Sequence, residues 1–203
     1  PEIRDFYYTL LDRLVAVPGI QDVTVAGSAP RVRNGFTWGG RTVWSDGMES
    51  EEGVRVEYNE VHWGYFETLG VEILRGRGIE VSDDRASAPV AVVNQTMARR
   101  LWDSEDVVGR TVRIAGTGGD SDPIEVVGVV RDSRTFVLMD EVPPEFFLAL
   151  EQNGRANLTV MARISGDFDA VAQAIRSEIR ILDRGLPPVT IETLADRVAV
   201  TLA

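Results

Sequence analysis

The segment Ile124-Glu125-Val126-Val127-Gly128-Val129-Val130 constrains the fold more than any other stretch of the chain. Its apolar residues do not alternate with polar ones, so it reads as a strand buried on both faces. Val90 to Val93 has the same character. Alternation marks half-buried strands at Gln21 to Ala26 (Val23, Val25) and Val54 to Val61 (Val54, Val56, Tyr58). Val112 and Ile114 belong to another, and Glu145 to Leu150, Leu158 to Ile164 and Pro188 to Ile191 read as three more. Val71 to Leu74 looks extended, Ser82-Asp83-Asp84 looks like a turn, and Phe36 to Val43 around Gly39-Gly40 reads as a hairpin before an acidic loop.

Helical spacing is equally plain. Ile3, Phe6, Tyr7, Leu10, Leu11, Leu14 and Val17 put one apolar face on residues 2–17, stopped by Pro18-Gly19. A short helix from Tyr65 to Leu69 ends at Gly70. Asn94 caps a helix to Trp102, and Asp167 caps one carrying Phe168, Val171, Ala172, Ile175, Ile179 and Leu182 on one stripe. Thr193 and Asp196 form a capping box for a last helix, still running at Ala203. Strands and helices alternate irregularly, which argues an α+β fold. Two lobes are expected, one from the chain's ends (about 18–70 with 144–192) and one inserted between them.

Absences narrow the chemistry. The 203 residues include no cysteine, so disulfides, thiol nucleophiles and cysteine-ligated metals are excluded. All 21 basic residues are arginine, which excludes a Walker A loop and Schiff-base chemistry. The net charge of −11 repels nucleic acid and anionic lipid, so neither is an expected partner. No apolar run reaches the roughly 18–20 residues of a membrane helix. The chain opens at Pro1 and reads as a piece of a longer protein.

Each candidate site has a structural reading beside it. His62, the single histidine, would need a nucleophile, and Ser28 lacks the G-x-S-x-G setting of one; His62 is read as a packing or surface residue. Asp120 and Asp122 resemble the start of a calcium loop, but Glu125 stands where glycine is needed and Arg131 where glutamate is needed. Asp83-Asp84 and Glu49 to Glu52 read as solvated charge. Gly76-Arg77-Gly78 is no dinucleotide fingerprint. Asn94 and Asn157 match the glycosylation sequon, Asn94 serving better as a cap. Phe36, Trp38 and Trp44 form either an exposed partner patch or hairpin anchors. No catalytic, cofactor-binding or metal-ligating residue is assigned, and the expectation is a non-enzymatic module without cofactor.

One block is more specific. Tyr58-Asn59-Glu60-Val61-His62-Trp63-Gly64-Tyr65-Phe66-Glu67-Thr68-Leu69-Gly70, followed by Leu74-Arg75-Gly76-Arg77, resembles the signature of MacB-type ABC transporter permeases, in their extracytoplasmic core domain. Val90 to Gln95, Ala98 to Trp102, Val108-Gly109-Arg110, Glu125 to Asp132 and the tail around Leu182-Asp183 agree in order and spacing. The likeness is greatest to the large permeases of acidobacteria and similar GC-rich bacteria. It implies a porter-like βαβ lobe from residues 1–70 plus 144–203, whose terminal helices lead to membrane helices, with a small β-rich, sabre-like lobe inserted at 71–143. It also implies the periplasmic face of the bacterial inner membrane, a cytoplasmic ABC ATPase as partner, a periplasmic adaptor, and a homodimer or pseudo-dimer in the full permease. The domain would transmit conformational change from ATP hydrolysis to export or envelope work. Tyr65, Phe66, Leu69 and the signature glycines look structural. Two rivals stand beside it. One is a module binding a small molecule or peptide in the cleft between lobes; the other is a hydrolase needing two carboxyls of raised pKa in one pocket. The isolated domain is expected to be monomeric or weakly dimeric.

Overall fold

The computed structural model describes residues 2–29, 40–45, 48, 53–115, 121–133, 142–153 and 157–201. Helix α1 (Glu2–Val15) leads into strand β1 (Ile20–Ala26), followed by β2 (Arg41–Ser45), β3 (Val54–Val61), α2 (Tyr65–Leu69) and β4 (Ile73–Gly76). Next come β5 (Val90–Asn94), α3 (Gln95–Trp102), β6 (Thr111–Ile114) and β7 (Ile124–Val130). The chain continues through β8 (Glu145–Ala149), α4 (Leu150–Asn153), β9 (Thr159–Ile164), α5 (Phe168–Leu182) and α6 (Leu194–Thr201). This is a mixed α/β fold, and the nine strands among the described residues belong to one sheet. Among the described residues no helix is long and apolar enough to cross a membrane.

The sheet closes on part of itself. Its strands run β2-β6-β7-β5-β8-β3, and β2 pairs with β3 as well, so six strands form a ring. Every stave sends side chains inward: Val43, Val56, Ala91, Val93, Val112, Ile124, Val126, Val129, Phe146 and Leu148, with Met97, Ala98 and Leu101 of α3. Alternate residues of β5 and β8 (Val90, Val92, Phe147, Ala149) face a second cluster built on Tyr65 and Phe66 of α2. The two apolar runs are therefore continuous because each face has its own core. Val127 faces the second cluster, and there the register of β5 against β7 slips between Ala91 and Val92. Past the slip Val129 points into the ring, as Val126 does.

Strand β3 joins the ring to a wing. One edge of β3 carries β8 in parallel; the other carries β2 at its start and β1 at Val61. β1 pairs antiparallel with β9, and the described ladder ends there. α1 and α5 cover the wing through Leu10, Leu14, Val17, Ile175, Ile179 and Leu182. Leu14 is completely buried, which contributes about 2–3 kcal/mol through area removed from water. The close approach of β4 to β7 demands glycine on both sides. A Cβ at Gly76 would meet the Val127 carbonyl oxygen at 2.1 Å, and one at Gly128 the Arg77 carbonyl oxygen at 2.0 Å.

Several expectations change. Pro188 to Ile191 is not a strand, because no ladder partner reaches it among the described residues. Residues 41–45 pair with β3 and β6, and the remainder of the expected hairpin, with Phe36 and Trp38, lies outside the described residues. Trp44 is 4% exposed inside β2, so it is a packing residue and not part of a surface patch. Asp83 is 3% exposed and accepts a bidentate pair from Arg77 (2.7 and 2.9 Å), so it is not a solvated charge. Asp84 does cap its turn, accepting from the N–H groups of Ala86 and Ser87.

Candidate functional site

A cavity of about 80 Å3 opens where β3, α2, the end of β7 and the start of β8 meet. Its walls follow from local sequence. α2 is a single amphipathic turn, and burying its inner face places Tyr65 and Phe66 against Phe147 of β8. Phe66 meets Phe147 edge-to-face at 5.2 Å between ring centres and Tyr65 at 5.4 Å, a geometry aromatic quadrupoles favour. Asn59 of β3 holds Ser28 by a reciprocal bond: the Ser28 N–H donates to Asn59 Oδ1 (3.1 Å), and Asn59 Nδ2 donates to the Ser28 carbonyl (2.8 Å).

Glu145, the first residue of β8, lines the cavity together with Glu57 and Arg131. Its backbone N–H donates to Asn94 Oδ1 (2.9 Å), the same oxygen that caps α3 by accepting from the Met97 N–H (2.9 Å). Asn94 Nδ2 donates to the Pro143 carbonyl (2.9 Å), so one fully buried amide fixes both the helix start and the strand start. The Glu145 carboxyl has no hydrogen-bond or ion-pair partner among the described residues. Glu145 is half-buried at the cavity. Burial, and then the negative charges of Asp132 and Glu57, push it up to about 7. Burial and the nearby Glu145 charge also push the Tyr65 hydroxyl up, partly offset by Asn59. Asp132 is held at the start of α3, accepting from the Thr96 N–H (3.0 Å) and Thr96 Oγ1 (2.9 Å). The arrangement is an aromatic-walled pocket with a carboxyl that exchanges its proton near neutral pH.

The residues singled out in the sequence lie elsewhere or serve packing. His62 is 3% exposed, its ring tilted against those of Tyr8 of α1 and Trp63. Its Nδ1–H donates to the Trp63 carbonyl (2.9 Å), Nε2 has no partner among the described residues, and burial pushes it down to about 4. Ser28 is committed to Asn59, and no hydrogen bond joins it to His62 among the described residues. Asp122, Glu125 and Asn157 are exposed, Asp120 lies outside the described residues, and Arg131 pairs with Glu72 (2.7 Å). A second carboxyl raised by burial, Glu151, sits on α4 with Arg4 (2.7 Å) and does not line the cavity. The two raised carboxyls thus do not share a pocket. Sequence reasoning placed Glu145 only as the start of a strand; nothing in its spacing signals a buried charge.

Residues 3–178 match the family model of the MacB-like periplasmic core domain. No curated protein matches the chain at a significant level. Among solved structures, the periplasmic region of MacB from Actinobacillus actinomycetemcomitans is similar at 15% identity and a TM-score of 0.60, over 86% of this chain and 73% of that one. A domain of a putative permease protein from Porphyromonas gingivalis is similar at 16% identity and 0.55, over 90% and 85%. The extracellular domain of the noncanonic ABC-type transporter YknZ from Gram-positive bacteria is similar at 18% identity and 0.54, over 87% and 81%. At these identities the structural likeness speaks for the fold.

Proposed function

The chain belongs to the family of MacB-like periplasmic core domains, and from that premise we propose that it transmits conformational change from cytoplasmic ATP hydrolysis to export or envelope work. As a family member it is an extracytoplasmic domain of an ABC transporter permease, a class that works with cytoplasmic ATPases. The observation that carries the mechanical reading is the seating of α1. Leu11 and Leu14 are buried beneath it, the Tyr7 hydroxyl donates to the Leu158 carbonyl (3.1 Å), and Arg4 and Arg13 pair with Glu151 and Glu178 (2.7 and 2.6 Å). A helix fixed this way moves with the sheet. Displacement entering through α1 passes to β1, β9 and α5 as one body.

In this reading α1 and α6 lead to membrane helices. Residues 1–70 plus 144–203 form the porter-like lobe and 71–143 the inserted one; the packing of α1, β1, β9 and α5 into cores of their own supports the first unit. The permease acts as a dimer with a periplasmic adaptor, while the isolated domain is monomeric or weakly dimeric. The domain carries out no reaction of its own, which the packing role of His62 supports.

The test uses the full-length permease. A flexible glycine–serine stretch inserted between α1 and the preceding membrane helix replaces a rigid link with a random coil. Loss of ATP-driven export with ATP binding retained is the expected result. Undiminished export through the soft linker would overturn the mechanical reading and favour a cleft-binding module, which a tether does not impair.

A further inference from the structure

Apart from any mechanical role, the cavity at Glu145 has the components of a ligand site. Its walls are the rings of Tyr65, Phe66 and Phe147, and its charged lining is the half-buried Glu145 with Glu57 and Arg131. Three carboxylates contribute to its potential: Glu145 on β8, Glu57 on β3 and Asp132 just past β7. The cation among its lining residues, Arg131, is already paired with Glu72. We propose that this cavity is a binding site for a small alkylammonium group, held by the Glu145 carboxylate and by the aromatic faces around it.

Size, charge and wall chemistry each argue for that ligand class. A cavity of about 80 Å3 exceeds the roughly 10–15 Å3 a single water needs, yet falls well short of the roughly 300–1,000 Å3 of a drug-sized site. It suits an ion of a few heavy atoms. Aromatic faces attract cations through their quadrupoles, and do so more strongly when the cation is desolvated. Arg41 over the Tyr58 ring (5.4 Å) shows the same attraction at the neighbouring ring on β3. A bound ammonium also removes the reason that Glu145 holds its proton, because a nearby positive charge favours the carboxylate. Binding therefore displaces that proton. The ammonium can come from a free small amine or from a lysine side chain of a partner; this chain has no lysine to supply it.

The probe is ethylammonium chloride, titrated into the 203-residue chain and followed by amide NMR shifts of the cavity residues at constant ionic strength. Sodium chloride is the control. The ceiling on binding per heavy atom puts the dissociation constant at roughly millimolar for so small an ion. Affinity about tenfold weaker at pH 6 than at pH 8 is expected, because only about a tenth of Glu145 is ionised one unit below its pKa. Glu145→Gln should abolish saturable binding while preserving the amide spectrum elsewhere. Phe147→Leu, which keeps an apolar wall but removes its quadrupole, should weaken binding several-fold. A short lysine peptide separates the two sources. Tighter binding than ethylammonium assigns the site to a partner's lysine, and equal or weaker binding assigns it to a free amine. Shifts no larger than those with sodium chloride at pH 8, or undiminished binding to Glu145→Gln, would overturn the proposal.

Discussion

In the ring, each of six strands has a neighbour on either side, and Val43, Val93, Val112 and Phe146 are completely buried within it. In the wing, β9 has a ladder on one side only among the described residues, and Ile175, Ile179 and Leu182 of α5 keep part of their surface in water. Both regions use short, valine-rich strands. They differ in closure: a ring has no edge to protect, whereas the wing owes its order to the helices laid over it. The ring holds its shape through strand pairing, and the wing through the helices packed on it.

That contrast breaks most readily under large-to-small substitution. Phe146→Ala should cost about 3–5 kcal/mol, because a ring core cannot collapse to fill the cavity left behind. Ile175→Ala in the wing should cost less than half as much, since its site is already partly open to water. Denaturant titration of both variants checks this, and equal losses would mean that the wing is packed as tightly as the ring.

Two buried titrating groups sharpen the comparison, one from each region. His62, under α1, is lowered from 6.5 to about 4, so it favours the folded state above pH 6.5 and that stability is lost as the pH falls towards 4. Glu145, at the mouth of the ring, is raised from 4.5 to about 7; its contribution is complete below pH 4.5 and is lost as the pH rises towards 7. Each effect is on the order of 3 kcal/mol, and between pH 4.5 and 6.5 they have opposite slopes. The native chain should therefore show nearly flat stability in that window. Glu145→Gln should leave a stability that falls on acidification, and His62→Gln one that falls as pH rises. Melting temperatures across pH 4–8 read both slopes, and parallel profiles for the two variants would refute the pairing.

A smaller effect is expected at Asn94, where ring and cavity share a residue. Asn94→Ala removes the cap of α3 and leaves the Glu145 N–H and the Pro143 carbonyl without that partner, a loss of about 2 kcal/mol. Hydrogen exchange should then quicken at both the start of α3 and the start of β8. Faster exchange confined to α3 would show that the link between them is incidental.

Much of the local structure was legible because its causes are local. The stripe of Leu10, Leu11 and Leu14 set α1, Asn94 and Asp167 set the starts of α3 and α5, and the Thr193–Asp196 box forms as read, with Thr193 Oγ1 2.7 Å from Asp196 Oδ2. The signature around Tyr65 and Phe66 identified the family, and the same rings line the cavity. Glu145 was not legible as a site. Its raised pKa comes from burial and from the charges of Asp132 and Glu57, which sit on two other segments of the chain. Asp83 was misread for a similar reason, since a pair of aspartates looks solvated until Arg77 is seen to close over one of them.

The sequence by itself determined α1, α2, α3, α5 and α6 and that Val90 to Val93 and Ile124 to Val130 are covered on both faces, but not α4, whose Leu150 was read as the end of a strand. These follow from periodicity and capping, which act over a few residues. Only the tertiary structure decided that β2 meets β3 to close the ring, that β8 lies between β3 and β5, and that residues 188–191 find no ladder among the described residues. Strand pairing joins segments far apart in the chain. A single segment records its own readiness to pair, while its partner is chosen by the packing of all the others.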